Sequence, residues 1–180
     1  MTPTPDQPFT ITRTFNAPVA AVWQAWSESA RFSQWWGPKG CTLKLQTMQF
    51  EEGGTLHYAM QWAGIPDMWG KFVYTDITPQ QSVTYVSSFS NAAGDITRAP
   101  FPGMDHLPLE VTNTVTFVEQ DSRTTLTLRG SPVRASDAER AWFAGFFDTL
   151  DQGFGGTLDQ LALYLATVGG AQPALSGKTA

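Results

Sequence analysis

The stretch DAERAWFAGFFDTLDQGFGGTLDQLALYLATV, residues 137–168, decides the fold of this chain. Ser136 and Glu139 have the spacing of a capping box, so we expect a helix to begin at Asp137. The apolar residues that follow recur every three or four positions, as on one face of a helix. They are Trp142, Phe146, Leu150, Phe154, Leu158, Leu161, Leu165 and Val168. Such a helix would be about 48 Å long. It is too long to bury its apolar face by itself, so a curved apolar surface is expected to enclose it.

Three glycines lie in the middle of this helix, at Gly153, Gly155 and Gly156. Each costs about 1 kcal/mol relative to alanine in a helix interior. We therefore expect a bend there, or a close approach of the helix to its neighbours. The aromatic half before the glycines should face a cavity, and the leucine-rich half after them should clamp the sheet.

The chain before the helix predicts one strand at residues 9–15, two short helices up to residue 36, and six further strands between residues 41 and 130. Strands joined by short hairpins form antiparallel sheets with one apolar face, and a long amphipathic helix covers such a face. The prediction is an α+β fold in which six to seven curved antiparallel strands surround the C-terminal helix. We expect residues 9–169 to form a single domain between a flexible arm at 1–8 and a flexible tail at 170–180.

Composition narrows the classes of function. The net charge is −5 and no basic cluster occurs, which disfavours nucleic acid and anionic membranes as partners. No apolar run approaches the roughly 20 residues of a membrane span. Cys41 is the single cysteine, and a chain without a disulfide framework suits a reducing compartment. We expect a cytoplasmic protein that is a monomer or a homodimer.

Few residues predict covalent or metal chemistry. No nucleophile-elbow motif occurs. Cys41 could pair with His57 or His106, but a strand cysteine beside Gly40 is more often inert. The two histidines stand alone in sequence, without metal-ligand spacing. We therefore expect no metal and no cofactor.

Aromatic residues make up 13% of the chain, with seven Trp and twelve Phe. Such an excess is typical of ligand cavities, although a tryptophan-rich core would explain it equally well. Strand parity and helix position predict a ligand-binding set. Its members are Tyr58, Met60, Trp62, Tyr74, Phe89, Met104, Asn113, Trp142, Phe143 and Phe146. Asn113 shares the parity of Val111 and Val115, so it points inward, where it either orients a ligand or is satisfied by neighbouring groups.

The segment 90–109 is long and irregular, which is common for functional loops. It could form a lid that supplies Arg98, Asp105, His106 or Glu110 to a ligand, or it could be a solvated loop restrained by its prolines. Arg13 has the inward parity of its strand, and we expect it to pair with a carboxylate.

Several motifs together resemble a known family. They are Thr12–Pro18 with Val22-Trp23, Trp35–Pro38, Gly53-Gly54, and Phe154–Leu161 with Tyr164-Leu165. They resemble the activator-of-heat-shock-ATPase-homologue-like group of the START-like, helix-grip (SRPBCC, Bet v-like) superfamily. The resemblance covers residues 9–168 and implies a sheet that grips the C-terminal helix around an apolar cavity. The family commonly has Trp where this chain has Phe154, which bears on the cavity floor.

The predicted function is binding of a small hydrophobic molecule of the lipid, polyketide or aromatic class. One alternative is an enzyme of cyclase or hydrolase type, which would need a titratable group in the cavity. Another is an interaction protein, such as a co-regulator of a chaperone ATPase. The fold does not choose among these.

Overall fold

The computed structural model describes residue 4 and residues 6–169. The predicted tail at 170–180 and residues 1–3 and 5 of the predicted arm lie outside these residues. The elements run in the order β1 (Phe9–Phe15), α1 (Val19–Ser27), α2 (Ser29–Phe32), β2 (Thr42–Met48), β3 (Thr55–Trp62), β4 (Ile65–Thr78), β5 (Ser82–Ser90), β6 (Ile96–Thr97), β7 (Val111–Gln120), β8 (Arg123–Pro132), α3 (Asp137–Gly145) and α4 (Phe147–Gly169).

The strands form one antiparallel sheet in the order β1-β8-β7-β5-β4-β3-β2. The two-residue strand β6 adds to β5 outside this path, which brings the sheet to eight strands. Register shifts interrupt the β2–β3, β3–β4 and β4–β5 pairs, and such irregularities bend a strand and increase its twist. The predicted α+β class, with a curved antiparallel sheet, two short helices after β1 and a long C-terminal helix, is confirmed.

The leucine-rich half of α4 packs on the inner face of the sheet. Leu158, Leu161 and Leu165 are all buried. Arg13 reaches from β1 to Asp159, with its Nη2 atom 3.0 Å from Oδ1, which confirms the predicted carboxylate partner. The leucines are therefore part of the core, and α4 contacts both β1 and α1.

The predicted single helix is wrong in one respect, because it is divided at Phe146. The Phe146 amide donates to the Phe143 carbonyl, an i to i−3 bond that tightens and ends α3, and Phe146 itself leaves helical geometry with φ −98° and ψ 2°. The three glycines do not break the helix, because α4 continues through them. A Cβ atom at Gly153 would meet nothing within 4 Å, and at Gly155 or Gly156 the nearest atoms would be 3.9 Å away. The expected close approach of a neighbour at these glycines is therefore wrong.

The capping box at the start of α3 is confirmed. The Glu139 amide donates to Ser136 Oγ at 3.3 Å, and the Ser136 amide donates to Glu139 Oε2 at 2.9 Å. Helix α1 begins differently, since its Val19 amide donates to Glu119 Oε2 at 2.7 Å. A carboxylate from β7 thus satisfies a free N–H group of the first helical turn.

Much of the aromatic excess fills one end of the sheet's concavity. Trp26, Phe32, Trp35 and Trp36 form a cluster with ring centroids 5.1–6.2 Å apart, and Phe117 closes it from the sheet. Aromatic pairs at such distances stabilise a core beyond their buried area. Among residues 6–169, no helix is long and apolar enough to cross a membrane.

Candidate functional site

A cavity of about 360 Å³ lies between the inner face of the sheet and the helices. Strands β3, β4, β5, β7 and β8 form one wall, and α3, α4 and the loop before β7 form the other. The lining residues are Phe9, Trp36, Pro38, Tyr58, Met60, Trp62, Met68, Trp69, Gly70, Phe72, Tyr85, Ser87, Ser88, Phe89, Leu107, Pro108, Leu109, Val111, Asn113, Gly130, Phe143, Thr149, Leu150, Gly153, Phe154 and Thr157.

Aromatic rings give this cavity flat and rigid walls. Phe72 stacks on Tyr85 with the ring centroids 4.1 Å apart, and Trp36 meets Phe72 edge-on at 5.4 Å. Tyr58 lies over its cross-strand neighbour Gly70, where an added Cβ would come within 2.6 Å of the Tyr58 hydroxyl. Glycine at position 70 is therefore what lets the Tyr58 ring lie flat against the sheet.

At the other side of the cavity, Phe154 of α4 stacks on Phe9 of β1, with 5.7 Å between centroids and 27° between ring planes. The position at which the family resemblance implies Trp is thus part of the cavity wall. A larger ring there would take up space that a ligand could occupy.

Asn113 provides the clearest polar feature of the sheet wall. Its Nδ2 atom donates to Ser87 Oγ at 2.9 Å and to the Val111 carbonyl at 3.0 Å. Its side chain is only 3% exposed. Gly130 lies directly opposite on β8, where an added Cβ would be 3.1 Å from Asn113 Oδ1. The missing side chain of Gly130 therefore leaves space beside that oxygen.

Burial keeps the two tyrosines of the cavity protonated. It raises the pKa of Tyr58 to about 12 and that of Tyr85 well above its ordinary value. Among the described residues, those that line the cavity include no carboxylate, imidazole, amine or thiol. Neutral hydroxyls can donate and accept hydrogen bonds, but at physiological pH they do not act as general bases.

The structure brings together six of the ten residues predicted to bind a ligand. Tyr58, Met60, Trp62, Phe89, Asn113 and Phe143 line the cavity. Their role in binding stays a prediction.

The other four predicted residues do not line the cavity. Tyr74 lies further along β4, where it packs on Phe50 at 5.0 Å. Trp142 and Phe146 stack on each other at 4.7 Å, because the break in the helix ends the periodicity on which their placement rested. Met104 is half-buried in the loop without reaching the cavity.

Sequence reasoning also missed lining residues that carried usable signals. Phe72 and Met68 have the same strand parity as Tyr74, and Phe9 is the first inward residue of β1. Trp36 gave no such signal. It lies in the turn after α2, where no periodic pattern predicts the direction of a side chain.

The loop at residues 98–110 covers one side of the cavity, but with apolar residues. Leu107, Pro108 and Leu109 line the cavity, whereas Asp105 and His106 are exposed. The other two charged residues of the loop pair with side chains outside the cavity. Arg98 Nη1 lies 3.0 Å from Glu139 Oε1, and Glu110 pairs with Arg134. The idea that the loop supplies charged groups to a ligand is therefore not supported.

The strand register separates His57 from Cys41, and His106 is exposed in the loop before β7. Cys41 precedes Thr42, which pairs with Gln61, whereas His57 pairs with Thr47. The His57 Nε2 atom lies 3.1 Å from the Asn91 carbonyl. Burial raises the pKa of the Cys41 thiol, which keeps it in its less reactive form. Among residues 6–169, no three His, Cys, Asp or Glu side chains come together in a way that could hold a metal.

A curved antiparallel sheet that closes on a long C-terminal helix around a cavity defines the helix-grip class of α+β proteins. Within this class, the sequence pattern described as "Activator of Hsp90 ATPase homolog 1-like protein" matches residues 16–166. The chain belongs to that family. No curated protein matches its sequence.

Solved structures show the same fold at low identity. A solution structure from Arthrobacter aurescens is 21% identical, with a TM-score of 0.74, over 97% of this chain and 94% of that one. A solution structure from Staphylococcus epidermidis is 23% identical, with a TM-score of 0.69, over 93% and 95% of the two chains. The crystal structure of DynU16, a protein of the dynemicin biosynthetic locus, is 19% identical with a TM-score of 0.58, over 91% of this chain and 48% of that one.

Proposed function

We propose that this protein binds a small, largely apolar molecule that contains rings, in the cavity between sheet and helices. The observation that carries the proposal is the cavity itself, about 360 Å³ in volume and walled by aromatic faces. This is at the lower end of the volumes of about 300–1,000 Å³ typical of ligand sites. An apolar cavity of about 150 Å³ holds one benzene, so this one suits about two or three rings.

The character of the lining favours binding over acid–base catalysis. The ionisable side chains among the described lining residues are Tyr58 and Tyr85, whose pKa values are raised by burial. An enzyme of cyclase or hydrolase type would need to recruit a group from outside this lining. The family description refers to an ATPase activator, but the cavity supports a ligand more directly than a protein partner. The single cysteine fits action in the reducing cytoplasm.

The test uses naphthalene as a two-ring probe, in thermal unfolding and titration calorimetry. At a free concentration of about 100 times Kd, a bound ligand stabilises the native state by about 2.7 kcal/mol, which raises Tm by about 5–10 °C in a chain of this size. Native mass spectrometry of freshly purified protein would show whether a molecule of similar size co-purifies with it.

Two variants on strand β7 provide a matched pair. Val111 lines the cavity, whereas Val118 is 63% exposed. Val111→Phe puts a ring into the cavity and should remove most of the naphthalene shift, while Val118→Phe should keep it. Equal shifts in both variants, or no shift in the parent protein with naphthalene or larger ring compounds, would contradict the proposal.

A further inference from the structure

We infer that the ligand carries an O–H or N–H donor, which binds the side-chain oxygen of Asn113. This inference rests on the proposed function and makes it more specific. It selects, among apolar ring compounds, those with a hydroxyl or N–H group at one edge.

The orientation of the Asn113 amide follows from its neighbours. The Val111 carbonyl can only accept a hydrogen bond, so the atom 3.0 Å from it must be the donor Nδ2. The same NH₂ group donates to Ser87 Oγ at 2.9 Å. Ser87 Oγ in turn donates to the Val111 carbonyl at 3.3 Å. These bonds use the donors of Asn113 and the hydroxyl proton of Ser87, and they leave Oδ1 as an acceptor.

No donor among the described residues reaches Oδ1. The cross-strand neighbours of Asn113 are Tyr85 on β5 and Gly130 on β8. Any side chain larger than glycine at position 130 would crowd Oδ1, since its Cβ would lie 3.1 Å away. Both Asn113 and Gly130 line the cavity. The oxygen is therefore within reach of a molecule held there, although Asn113 is only 3% exposed.

An acceptor at the wall of a largely apolar cavity is left without a hydrogen-bond partner when an apolar molecule covers it, which is unfavourable. A hydrocarbon ligand would leave Oδ1 in this state and would displace any water that satisfied it. A ligand with a donor at its edge would satisfy it instead. A site built to pair with a hydroxyl discriminates against analogues that lack it. The expected ligand is thus a flat molecule of about two or three rings with one O–H or N–H group directed at β7.

Calorimetry with three probes of one ring system tests this inference on the full chain. The probes are naphthalene, 2-naphthol, which adds a donor, and 2-methoxynaphthalene, which keeps the oxygen but has no donor. A net hydrogen bond corresponds to about a 2- to 12-fold change in Kd. The parent protein should therefore bind 2-naphthol about 2- to 12-fold more tightly than 2-methoxynaphthalene.

The variants separate Oδ1 from the rest of the network. Asn113→Leu removes the acceptor and should abolish the preference for 2-naphthol. Ser87→Ala keeps the bond from Nδ2 to the Val111 carbonyl, so it should retain the preference. Gly130→Ala crowds Oδ1 from the opposite strand and should reduce the preference even if Asn113→Leu fails to fold.

The outcomes distinguish the two claims. If the parent protein binds 2-naphthol and 2-methoxynaphthalene equally, or if the preference persists in Asn113→Leu and Gly130→Ala, the inference is overturned while the proposed function stands. If none of the three probes binds, the proposed function fails and the inference fails with it.

Discussion

Two glycines illustrate how a single residue type has opposite effects in different surroundings. At Gly54, in the turn between β2 and β3, an added Cβ would lie 2.1 Å from the Gln49 carbonyl oxygen and 2.9 Å from that of Glu51. At Gly153, on α4, it would meet nothing within 4 Å. The first glycine allows a close approach of backbone atoms, whereas the second only lowers the helix propensity.

Alanine substitution should therefore change stability in opposite directions at these two positions. Gly54→Ala forces backbone atoms apart and should destabilise the fold by about 3 kcal/mol, at the upper end of overpacking effects. Gly153→Ala should stabilise it by up to about 1 kcal/mol, through helix propensity. Urea denaturation of the two variants and the parent protein measures both effects. If both denaturation midpoints shift in the same direction, the surroundings described for one of the two glycines are wrong.

At the same scale, the sequence predicted where Asn113 points but not what it does there. Its inward direction follows from the alternation of β7. Its free oxygen depends on Gly130, which lies opposite on β8, and on Ser87 of β5, which accepts a hydrogen bond from the Asn113 NH₂ group. Strand order and register determine which residues lie beside Asn113, and neither can be predicted from a single sequence.

Among the elements, the loop at residues 98–110 has a specific attachment to α3. The Arg98 guanidinium donates to the Leu107 carbonyl at 2.9 Å and to Glu139 Oε1 at 3.0 Å. Glu139 also belongs to the capping box of α3. One carboxylate therefore links the start of the helix to the loop that covers the cavity.

Breaking this link should loosen the loop without unfolding the protein. Arg98→Met removes both bonds, and exposed ion pairs contribute only about 0–1 kcal/mol to global stability. We expect faster amide hydrogen exchange at residues 98–110 and a nearly unchanged Tm. Arg31→Met is the control, because Arg31 pairs with Glu28 on another part of the surface. Equal amide exchange rates at residues 98–110 in Arg98→Met and Arg31→Met would contradict the proposed link between the loop and α3.

The same carboxylate predicts a pH dependence. The Ser136 amide, Arg98 and the Ser136 hydroxyl lower the pKa of Glu139 from 4.5 to about 2. A lowered folded-state pKa stabilises the native state above the unfolded value of about 4.5, and this contribution is lost as pH falls towards 2. The difference in stability between the parent protein and Glu139→Gln should be constant from pH 7 to 5 and shrink between pH 4 and 2. A difference that grows on acidification would contradict this assignment.

The C-terminal helices show where periodicity succeeds and where it fails. Leu158, Leu161 and Leu165 are buried as their spacing predicts. The pattern of apolar residues does not reveal the break at Phe146, because Phe146 and its neighbour Phe147 are both apolar and continue the pattern. An unbroken helix was therefore the natural reading, and it misplaced Trp142 and Phe146.

For the whole molecule, the order of elements was enough to predict the architecture. Hairpin-linked strands followed by one long amphipathic segment leave few packing solutions, and a sheet wrapped around the helix is one of them. The volume left between them was not predictable in the same way. It depends on how far Trp35, Trp36 and their neighbours fill the concavity, and only side-chain packing in three dimensions determines that.

The most direct test of the central claim is an NMR titration of the protein, ¹³C-labelled at its methionine methyl groups, with naphthalene. Met60 and Met68 are cross-strand neighbours in the cavity wall, whereas Met48 lies outside it. An aromatic guest in the cavity should shift the signals of Met60 and Met68 in a saturable manner and leave that of Met48 in place. Unchanged signals from Met60 and Met68 at saturating naphthalene, or shifts confined to Met48, would contradict the account.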